Sequence, residues 1–380
     1  MSTATLTPAK PAAALSLRAL AVPGALLFIV LFFTLKSPEF LSARNLSMLA
    51  IEVSITAVLA LGMLLIILPG HIDLSAGSGV GLIGGLSAVL IFEYGWPAPA
   101  ALLVGVAAAA LIWLGMGTII VKERVPSFII TLGGLLVFRG LQWLVIHNAT
   151  IPVSRGGETN LYALLTTYYL PPVAGYVVAA LAVLALALAG WRKIRRGAAV
   201  DRERIFLQTF ITAQLVLLFV LVCNAYRGIP LPTLVLAVVA FVIYILTRHT
   251  PFGRYLYAIG GNEEAAVVSG VPVAMVSIGA FLIMGLIVAI TGFLQTAYAG
   301  SSTTTVGTLM ELDAVAACVI GGTSLKGGRG TVFGVLMGAL IMAALLNGMT
   351  LLAVSPEAKY VARGLVLGLA VWADVRLARR

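Results

Sequence analysis

Three charged side chains lie inside long apolar stretches of this sequence. Glu52, Arg139 and Arg363 each fall within a run that is otherwise almost free of charge. Ionisable groups in such runs usually face the protein interior, where they pair with one another or act on a passing solute. We therefore expect a buried ion pair between Glu52 and an arginine, which either holds helices together or contributes to a translocation path.

A second polar cluster is the segment Gly-His-Ile-Asp-Leu-Ser-Ala-Gly-Ser-Gly, which runs from Gly70 to Gly79. It places Asp73 and Ser75 at the start of an apolar stretch. In one interpretation, one of these two side chains caps the following helix by accepting hydrogen bonds from its free N–H groups. In the other, a broken helix brings both side chains to a translocation path. The two interpretations are compatible.

A third cluster, Gly-Ser-Ser-Thr-Thr-Thr-Val-Gly, runs from Gly300 to Gly307 and is followed by Glu311 and Asp313. Hydroxyls and carboxylates together can donate and accept hydrogen bonds to a hydroxylated solute. Thr303, Thr304 and Asp313 are therefore predicted to line a vestibule on the outer side of a membrane. A solvated turn is the alternative.

The motifs of common catalytic sites are absent from the sequence. It has no Gly-x-x-x-x-Gly-Lys-Ser/Thr loop for nucleotide phosphates and no His-Glu-x-x-His metal motif. The three histidines, His71, His147 and His249, are far apart, and Cys223 and Cys318 lie in separate apolar runs. We predict a chain that is not an enzyme and that binds no metal or cofactor, so any ATP must be used by a separate protein.

The composition indicates a membrane protein. Of 380 residues, 61% are hydrophobic and 10% are charged, against about 25% charged in a soluble domain. Roughly 20 apolar residues cross a hydrocarbon core of about 30 Å as a helix. We predict an all-α polytopic membrane protein with about 10–12 transmembrane helices and no soluble domain. The predicted spans are 19–35, 48–68, 77–92, 98–120, 127–146, 171–190, 205–225, 233–247, 273–298, 312–325, 331–353 and 358–375.

One predicted span differs from the rest. Span 312–325 is short and ends in Gly321-Gly322, so it is expected to be a half-helix or a re-entrant segment. Such broken helices are tolerated where they are buried in protein or line a cavity.

The distribution of charge predicts the orientation of the chain. With the N-terminus inside, 17 of the 24 lysines and arginines fall in inside segments, five in outside segments and two within spans. This asymmetry is the positive-inside pattern of membrane proteins, so the net charge of +10 does not indicate nucleic-acid binding. Both termini are predicted to be cytoplasmic, with a tail over residues 1–18 and a single transmembrane domain over residues 19–376 in the lipid bilayer.

The longest structured loop on the predicted cytoplasmic side covers residues 248–272. Asn262 is a suitable N-cap for a helix of about two turns, and the acidic pair Glu263 and Glu264 complements the helix dipole. Gly270 then ends the helix. Because a helix this short is marginal alone in water, it must pack on its own membrane domain or on a partner.

Three motifs, in order along the chain, resemble those of the ribose- and xylose-type permeases of ATP-binding cassette importers for monosaccharides. They are Gly-His-Ile-Asp-Leu-Ser from Gly70, Gly-Arg-Tyr-Leu-Tyr-Ala-Ile-Gly-Gly-Asn-Glu-Glu-Ala-Ala from Gly253, and Gly-Gly-Thr-Ser-Leu-Lys-Gly-Gly-Arg-Gly from Gly321. His71 departs from the family pattern, which has glycine there. Residues 171–225 add a helix pair, which resembles the D-xylose branch of the family.

This resemblance implies a function and a set of partners. Two copies of the chain would form the path for a monosaccharide, D-xylose, across a bacterial inner membrane by alternating access. A separate ATPase subunit would dock on the loop 248–272, and a periplasmic sugar-binding protein would deliver the sugar. The residues assigned to ATPase coupling by resemblance are Arg254, Tyr257, Gly261, Asn262, Glu263, Glu264, Ala265, Ala266 and Gly270.

Two other functions remain open from the residues alone. One is a related permease for ribose, another sugar, a nucleoside or an amino acid. The other is a stand-alone secondary transporter, which would need intramembrane carboxylates such as Glu52 for a coupling ion.

Overall fold

The computed structural model describes residues 17–156, 158–195 and 202–378. Most of the predicted tail 1–18 and the terminal Arg379 and Arg380 therefore lie outside the described residues. The α-helices within the described ranges are α1 (Leu17–Lys36), α2 (Ala43–Ile67), α3 (Ala76–Phe92), α4 (Ala98–Lys122), α5 (Ser127–Val145), α6 (Leu161–Thr167), α7 (Pro172–Arg195), α8 (Arg202–Asn224), α9 (Leu231–His249), α10 (Pro251–Gly261), α11 (Glu263–Val268), α12 (Val273–Ala299), α13 (Met310–Ile320), α14 (Val332–Leu351) and α15 (Pro356–Ala378).

The apolar runs form helices because a helix satisfies its own backbone hydrogen bonds in a medium without water. Among the described residues, eight helices are long and apolar enough to cross a membrane, namely α2, α4, α5, α7, α8, α9, α12 and α14. Val22–Lys36 of α1 and the whole of α3 are shorter apolar helices. The predicted fold class, an all-α polytopic membrane protein, is confirmed.

Two small antiparallel pairs of strands join loops at one end of the helices. The first pairs β1 (Ile151–Pro152) with β4 (Ser301–Ser302), and the second pairs β2 (Tyr169–Leu170) with β3 (Ile229–Pro230). The first pair ties the segment after α5 to the segment after α12. It thereby fixes where the hydroxyl-rich stretch between α12 and α13 begins.

Helices α2, α3 and α12 form the centre of the protein, where α2 is buried along nearly all of its second half. The pair α7 and α8 is peripheral, with exposed apolar side chains such as Leu181 and Phe210, as expected of a surface that faces lipid. These two helices pack on each other around Ala179 and Val220. They occupy the range of the predicted extra helix pair, and their absence from other family members stays a prediction.

Helix α13, Met310–Ile320, corresponds to the half-helix that the sequence predicted at 312–325 but begins and ends earlier. Its 11 residues extend about 16 Å at 1.5 Å per residue, about half of a hydrocarbon core. A glycine-rich loop follows, in which Gly322 has a positive φ of 87°. Further along this loop, the amide of Gly328 donates a hydrogen bond of 2.9 Å to the carbonyl of Leu68, just after α2. The half-helix and the loop together thus run beside the second half of α2, from Ala60 to Leu68.

Candidate functional site: a polar cavity and a coupling loop

A cavity of about 250 Å³ lies where α2, α12, α13, α14 and α15 meet. It is bounded by the N-terminal halves of α2, α13 and α15 and by the last turns of α12 and α14, which lie at the same end because these helices alternate in direction. In the predicted topology this end faces outside. The walls combine carboxylates, hydroxyls, an amide and a guanidinium with apolar groups: Glu52, Ile55, Thr56, Gln295, Tyr298, Thr305, Gly307, Thr308, Met310, Asp313, Ala343, Leu346, Thr350 and Arg363.

The predicted ion pair between Glu52 and an arginine is wrong. Oε1 of Glu52 accepts a hydrogen bond of 3.0 Å from the hydroxyl of Tyr298, and Oε2 accepts one of 3.1 Å from Nδ2 of Asn347. Neutral donors on α12 and α14 therefore satisfy the carboxylate, and they fix it at the cavity wall. No local pattern indicates these partners, which lie more than 240 positions away along the chain.

The ion pair in this region joins Asp313 and Arg363 instead. Nε of Arg363 lies 3.1 Å from Oδ1 of Asp313. The carboxylate is almost completely buried, with 6% of the residue exposed. Because a buried charge needs a partner, this contact between α13 and α15 explains why an arginine is tolerated inside the apolar run of α15.

Side chains of α5 hold the non-helical segment between α12 and α13. Nη1 of Arg139 donates to Oγ1 of Thr308 at 2.7 Å and to the carbonyl of Thr304 at 3.3 Å. Nε2 of Gln142 donates to the carbonyl of Thr303 at 2.9 Å. Non-helical backbone at membrane depth persists only where protein groups satisfy it, so Arg139 and Gln142 position this wall of the cavity.

The hydroxyls on the cavity wall differ from those predicted. Thr305 and Thr308 line the cavity, whereas Thr303 and Thr304 are not lining residues and present their carbonyls to α5. The hydroxyl of Thr303 lies behind the wall, 3.0 Å from the hydroxyl of Thr305. The third member of the predicted set, Asp313, does line the cavity. Gln142 was missed, although it lies three residues after Arg139 and therefore on the same face of a helix.

Asp73 and Ser75 form a buried polar cluster before α3 and are not part of the cavity wall. Oδ1 of Asp73 accepts hydrogen bonds from the amide and the hydroxyl of Ser75, at 2.9 and 2.6 Å. Oδ2 accepts one of 2.7 Å from Nε1 of Trp113. Both Asp73 and Ser75 are fully buried. The carboxylate of Asp73 thus ties the turn before α3 to α4, whereas the side chain of Ser75, the N-cap residue of α3, makes no capping hydrogen bond.

The loop 248–272 folds into two helices, α10 and α11, of which the sequence predicted α11. Oγ1 of Thr250 accepts a hydrogen bond from the amide of Gly253 at the start of α10. Oδ1 of Asn262 accepts one of 2.9 Å from the amide of Ala265 at the start of α11. Gly270, with a φ of 78°, follows the end of α11. The predicted cap and helix from Asn262 to Gly270 are confirmed.

Most of the residues assigned to coupling are exposed on this loop. Glu263 and Glu264 are exposed, as are two apolar side chains of α11, Val267 and Val268 at 58% and 89%. Ala266, by contrast, is buried and anchors α11. The contact of these residues with an ATPase stays a prediction.

A groove of about 970 Å³ runs beside α11 at the cytoplasmic end of the predicted topology. Burial there lowers the pKa of His71, while the nearby carboxylate of Glu263 opposes the effect. Basic and acidic groups thus share one concave surface. The lining residues come from α11 and from the segments around α2–α3, α4–α5 and the start of α12: Gly70, His71, Ile72, Ile120, Val121, Arg124, Val125, Pro126, Ser127, Phe128, Glu263, Glu264, Val267, Val268, Val273, Ala274 and Ser277.

Helix α10 contacts the glycine-rich loop that follows α13. The hydroxyl of Tyr257 donates a hydrogen bond of 2.8 Å to the carbonyl of Gly330. Gly260 lies so close to Leu68 and Gly328 that a side chain there would overlap their backbone atoms. The surface of the loop 248–272 is therefore joined through backbone contacts to α13, which carries Asp313 at the cavity.

A polar cavity at one end of a layer of membrane helices, with a folded and exposed loop at the other, is the arrangement expected of a solute permease. The family described as "Branched-chain amino acid transport system / permease component" matches residues 45–371, and the chain belongs to this family. This result confirms the predicted class, a transport subunit and not an enzyme.

The chain is also similar to sugar permeases over nearly its whole length. It is 38% identical to the xylose transport system permease protein XylH of Escherichia coli K12 over 372 residues, which cover 96% of this chain and 94% of the relative. It is 40% identical to XylH of Haemophilus influenzae over 356 residues, which cover 92% of this chain and 94% of the relative. The ribose import permease protein RbsC of Escherichia coli K12 is 32% identical over 351 residues, which cover 92% of this chain and 91% of the relative. No solved structure matches the chain.

Proposed function

We propose that this chain is the membrane-spanning permease subunit of an ATP-binding cassette importer for D-xylose in the bacterial inner membrane. The observation that carries the proposal is the similarity to xylose permeases over more than nine-tenths of the chain, at 38–40% identity. Ribose permeases match at 30–32%, which favours xylose over ribose.

The permease needs partners to perform this task. The sequence has no nucleotide-binding loop, so the work of ATP hydrolysis must enter through a contact with a separate ATPase. The exposed face of α11, with its acidic pair and two apolar side chains, is the surface that we assign to this contact. A periplasmic sugar-binding protein delivers xylose at the opposite end. The transporter contains two copies of the chain, with both termini in the cytoplasm.

Alternating access follows from the contacts between the two ends. Closure of the ATPase pair would displace α10 and α11. Because α10 rests on Leu68 and on the loop after α13, the displacement would reach α2 and α13, which both border the cavity. The cavity would then open toward the cytoplasm.

Reconstitution tests the proposal. Proteoliposomes that contain the permease, its ATPase and its binding protein should take up labelled D-xylose only with ATP and only when all three proteins are present. Uptake by the permease alone under a proton gradient would instead indicate a secondary transporter. ATP-dependent uptake of ribose in preference to xylose would assign the other sugar.

A further inference from the structure

We propose that the cavity between α2, α12 and α13 is a binding site for a single neutral sugar ring, so that the permease itself recognises its cargo. The inference rests on the proposed function and extends it, because a permease that only opened and closed would need no such site.

The size of the cavity suits a monosaccharide. Pockets for drug-sized ligands measure roughly 300–1,000 Å³, and this cavity measures about 250 Å³. A ligand smaller than a drug molecule, such as one pentose ring, is therefore the better match. The apolar groups of Ile55 and Met310 and the partly exposed ring of Tyr298 offer surfaces for the C–H faces of such a ring.

Two polar side chains on the wall remain available for a ligand. Among the described residues, the hydroxyl of Thr56 and the amide of Gln295 make no hydrogen bond, and both side chains are only partly buried. An amide can donate two hydrogen bonds and accept two, and a hydroxyl can do both. They therefore match sugar hydroxyls, which also donate and accept.

The adjacent residues orient these two groups. Thr56 lies one helical turn after Glu52 on α2, and Gln295 lies one turn before Tyr298 on α12, so each pair shares a helix face. The hydrogen bond between Tyr298 and Glu52 joins the two faces. It holds Thr56 and Gln295 on neighbouring walls of the same cavity.

The charged groups of the cavity are all held by protein groups. Arg363 is engaged by Asp313 at 3.1 Å, and both oxygens of Glu52 accept hydrogen bonds from the protein. Nη1 of Arg139 and Nζ of Lys359 donate to the lining hydroxyls of Thr308 and Thr350, at 2.7 and 3.0 Å. A polyhydroxylated ligand can form hydrogen bonds beside these groups without carrying a charge of its own.

The test combines direct binding with transport. The permease in nanodiscs, without its binding protein, should bind labelled D-xylose saturably. Gln295→Leu and Thr56→Val should each weaken binding about three- to tenfold, as expected for the loss of one or two hydrogen bonds. Thr56→Ser, which keeps the hydroxyl, should bind like the wild type.

Matched controls are available on α8. Gln214→Leu and Thr212→Val make the same chemical changes at exposed positions on a peripheral helix, and they should leave binding unchanged. Thermal unfolding of all variants in nanodiscs separates a loss of binding from a loss of folding.

The outcomes distinguish the two proposals. If the wild-type importer carries xylose but the Gln295 and Thr56 variants bind and transport like the controls, the cavity proposal is overturned and the proposed function stands. If the importer carries ribose instead, the xylose assignment fails, and the same variants assayed with labelled ribose decide the cavity proposal. Weakened binding in both variants, with normal controls, supports it.

Discussion

Gly260 of α10 packs directly against the carbonyl oxygen of Leu68, at the end of α2. A methyl group on Gly260 would overlap this oxygen and the amide of Gly328. Both are backbone atoms, so they cannot rotate away as a side chain could. Helix α10, the end of α2 and the loop after α13 therefore form one mechanical contact, through which a displacement of the coupling loop can reach the cavity.

Gly260→Ala should uncouple ATP hydrolysis from transport. The added methyl group displaces α10 from its contact with Leu68 and Gly328, while the face of α11 that we assign to the ATPase remains exposed. We expect basal ATPase activity to persist and ATP-dependent xylose uptake to fall by about tenfold, since overpacking typically costs about 1–3 kcal/mol. Gly115→Ala on α4, where a methyl group meets no neighbour, is the control and should transport normally. Normal uptake by Gly260→Ala would refute this mechanical role.

Replacing Glu263 and Glu264 with lysine should prevent assembly with the ATPase. Both side chains are exposed on α11, so insertion of the permease should be intact. Copurification of the ATPase with the tagged permease measures the effect. Glu158→Lys, also exposed but in the loop between α5 and α6, should copurify the ATPase like the wild type.

A second form of this experiment separates charge from helix stability. Lysines in the first turn of α11 also oppose its dipole. The glutamine pair at residues 263 and 264 removes the negative charge without this opposition. If the glutamine variant keeps the ATPase, and only the lysine variant loses it, disruption of α11 and not contact with the acidic pair explains the loss.

The ion pair between Asp313 and Arg363 should be essential to the stability of the contact between α13 and α15. Arg363→Leu leaves the buried carboxylate without its cation, which should destabilise the protein by on the order of 3 kcal/mol. The double variant Arg363→Leu with Asp313→Asn removes both charges and should recover part of this loss. Thermal unfolding in one detergent gives the comparison. Equal melting temperatures for the wild type and Arg363→Leu would show that the pair contributes nothing.

Local signals made the helices and the coupling loop predictable from sequence. The apolar runs define the spans, and the predicted ends of span 127–146 and of α5 differ by one residue. The cap at Asn262 and the stop at Gly270 depend on neighbours within a few positions. The short helix α6 was not predicted, although Asn160 caps it in the same way. Its buried Tyr162 donates a hydrogen bond to the carbonyl of Gly84, and such a long-range contact leaves no periodic pattern.

The pairing of polar side chains could not be predicted. Glu52 could have met any cation or neutral donor from another helix, and only the packing of α2 against α12 and α14 determines that it meets Tyr298 and Asn347. Arg139 was expected to neutralise a carboxylate, yet it binds carbonyl and hydroxyl oxygens. The need for those donors arises from a non-helical backbone segment, and hydropathy cannot reveal such a segment.

The shortness of α13 has a consequence for how the protein is made. The insertion machinery of the membrane accepts segments by length and apolarity, and an aspartate at the centre of a segment adds about 2.5–3.5 kcal/mol to the cost of entry. Helix α13 has only 11 residues and carries both Glu311 and Asp313. It therefore does not meet this requirement. It must enter the bilayer after α2 and α3, the earlier helices that it packs against, are in place. Biogenesis of this protein therefore includes a late folding step inside the membrane, at the segment that forms a wall of the polar cavity.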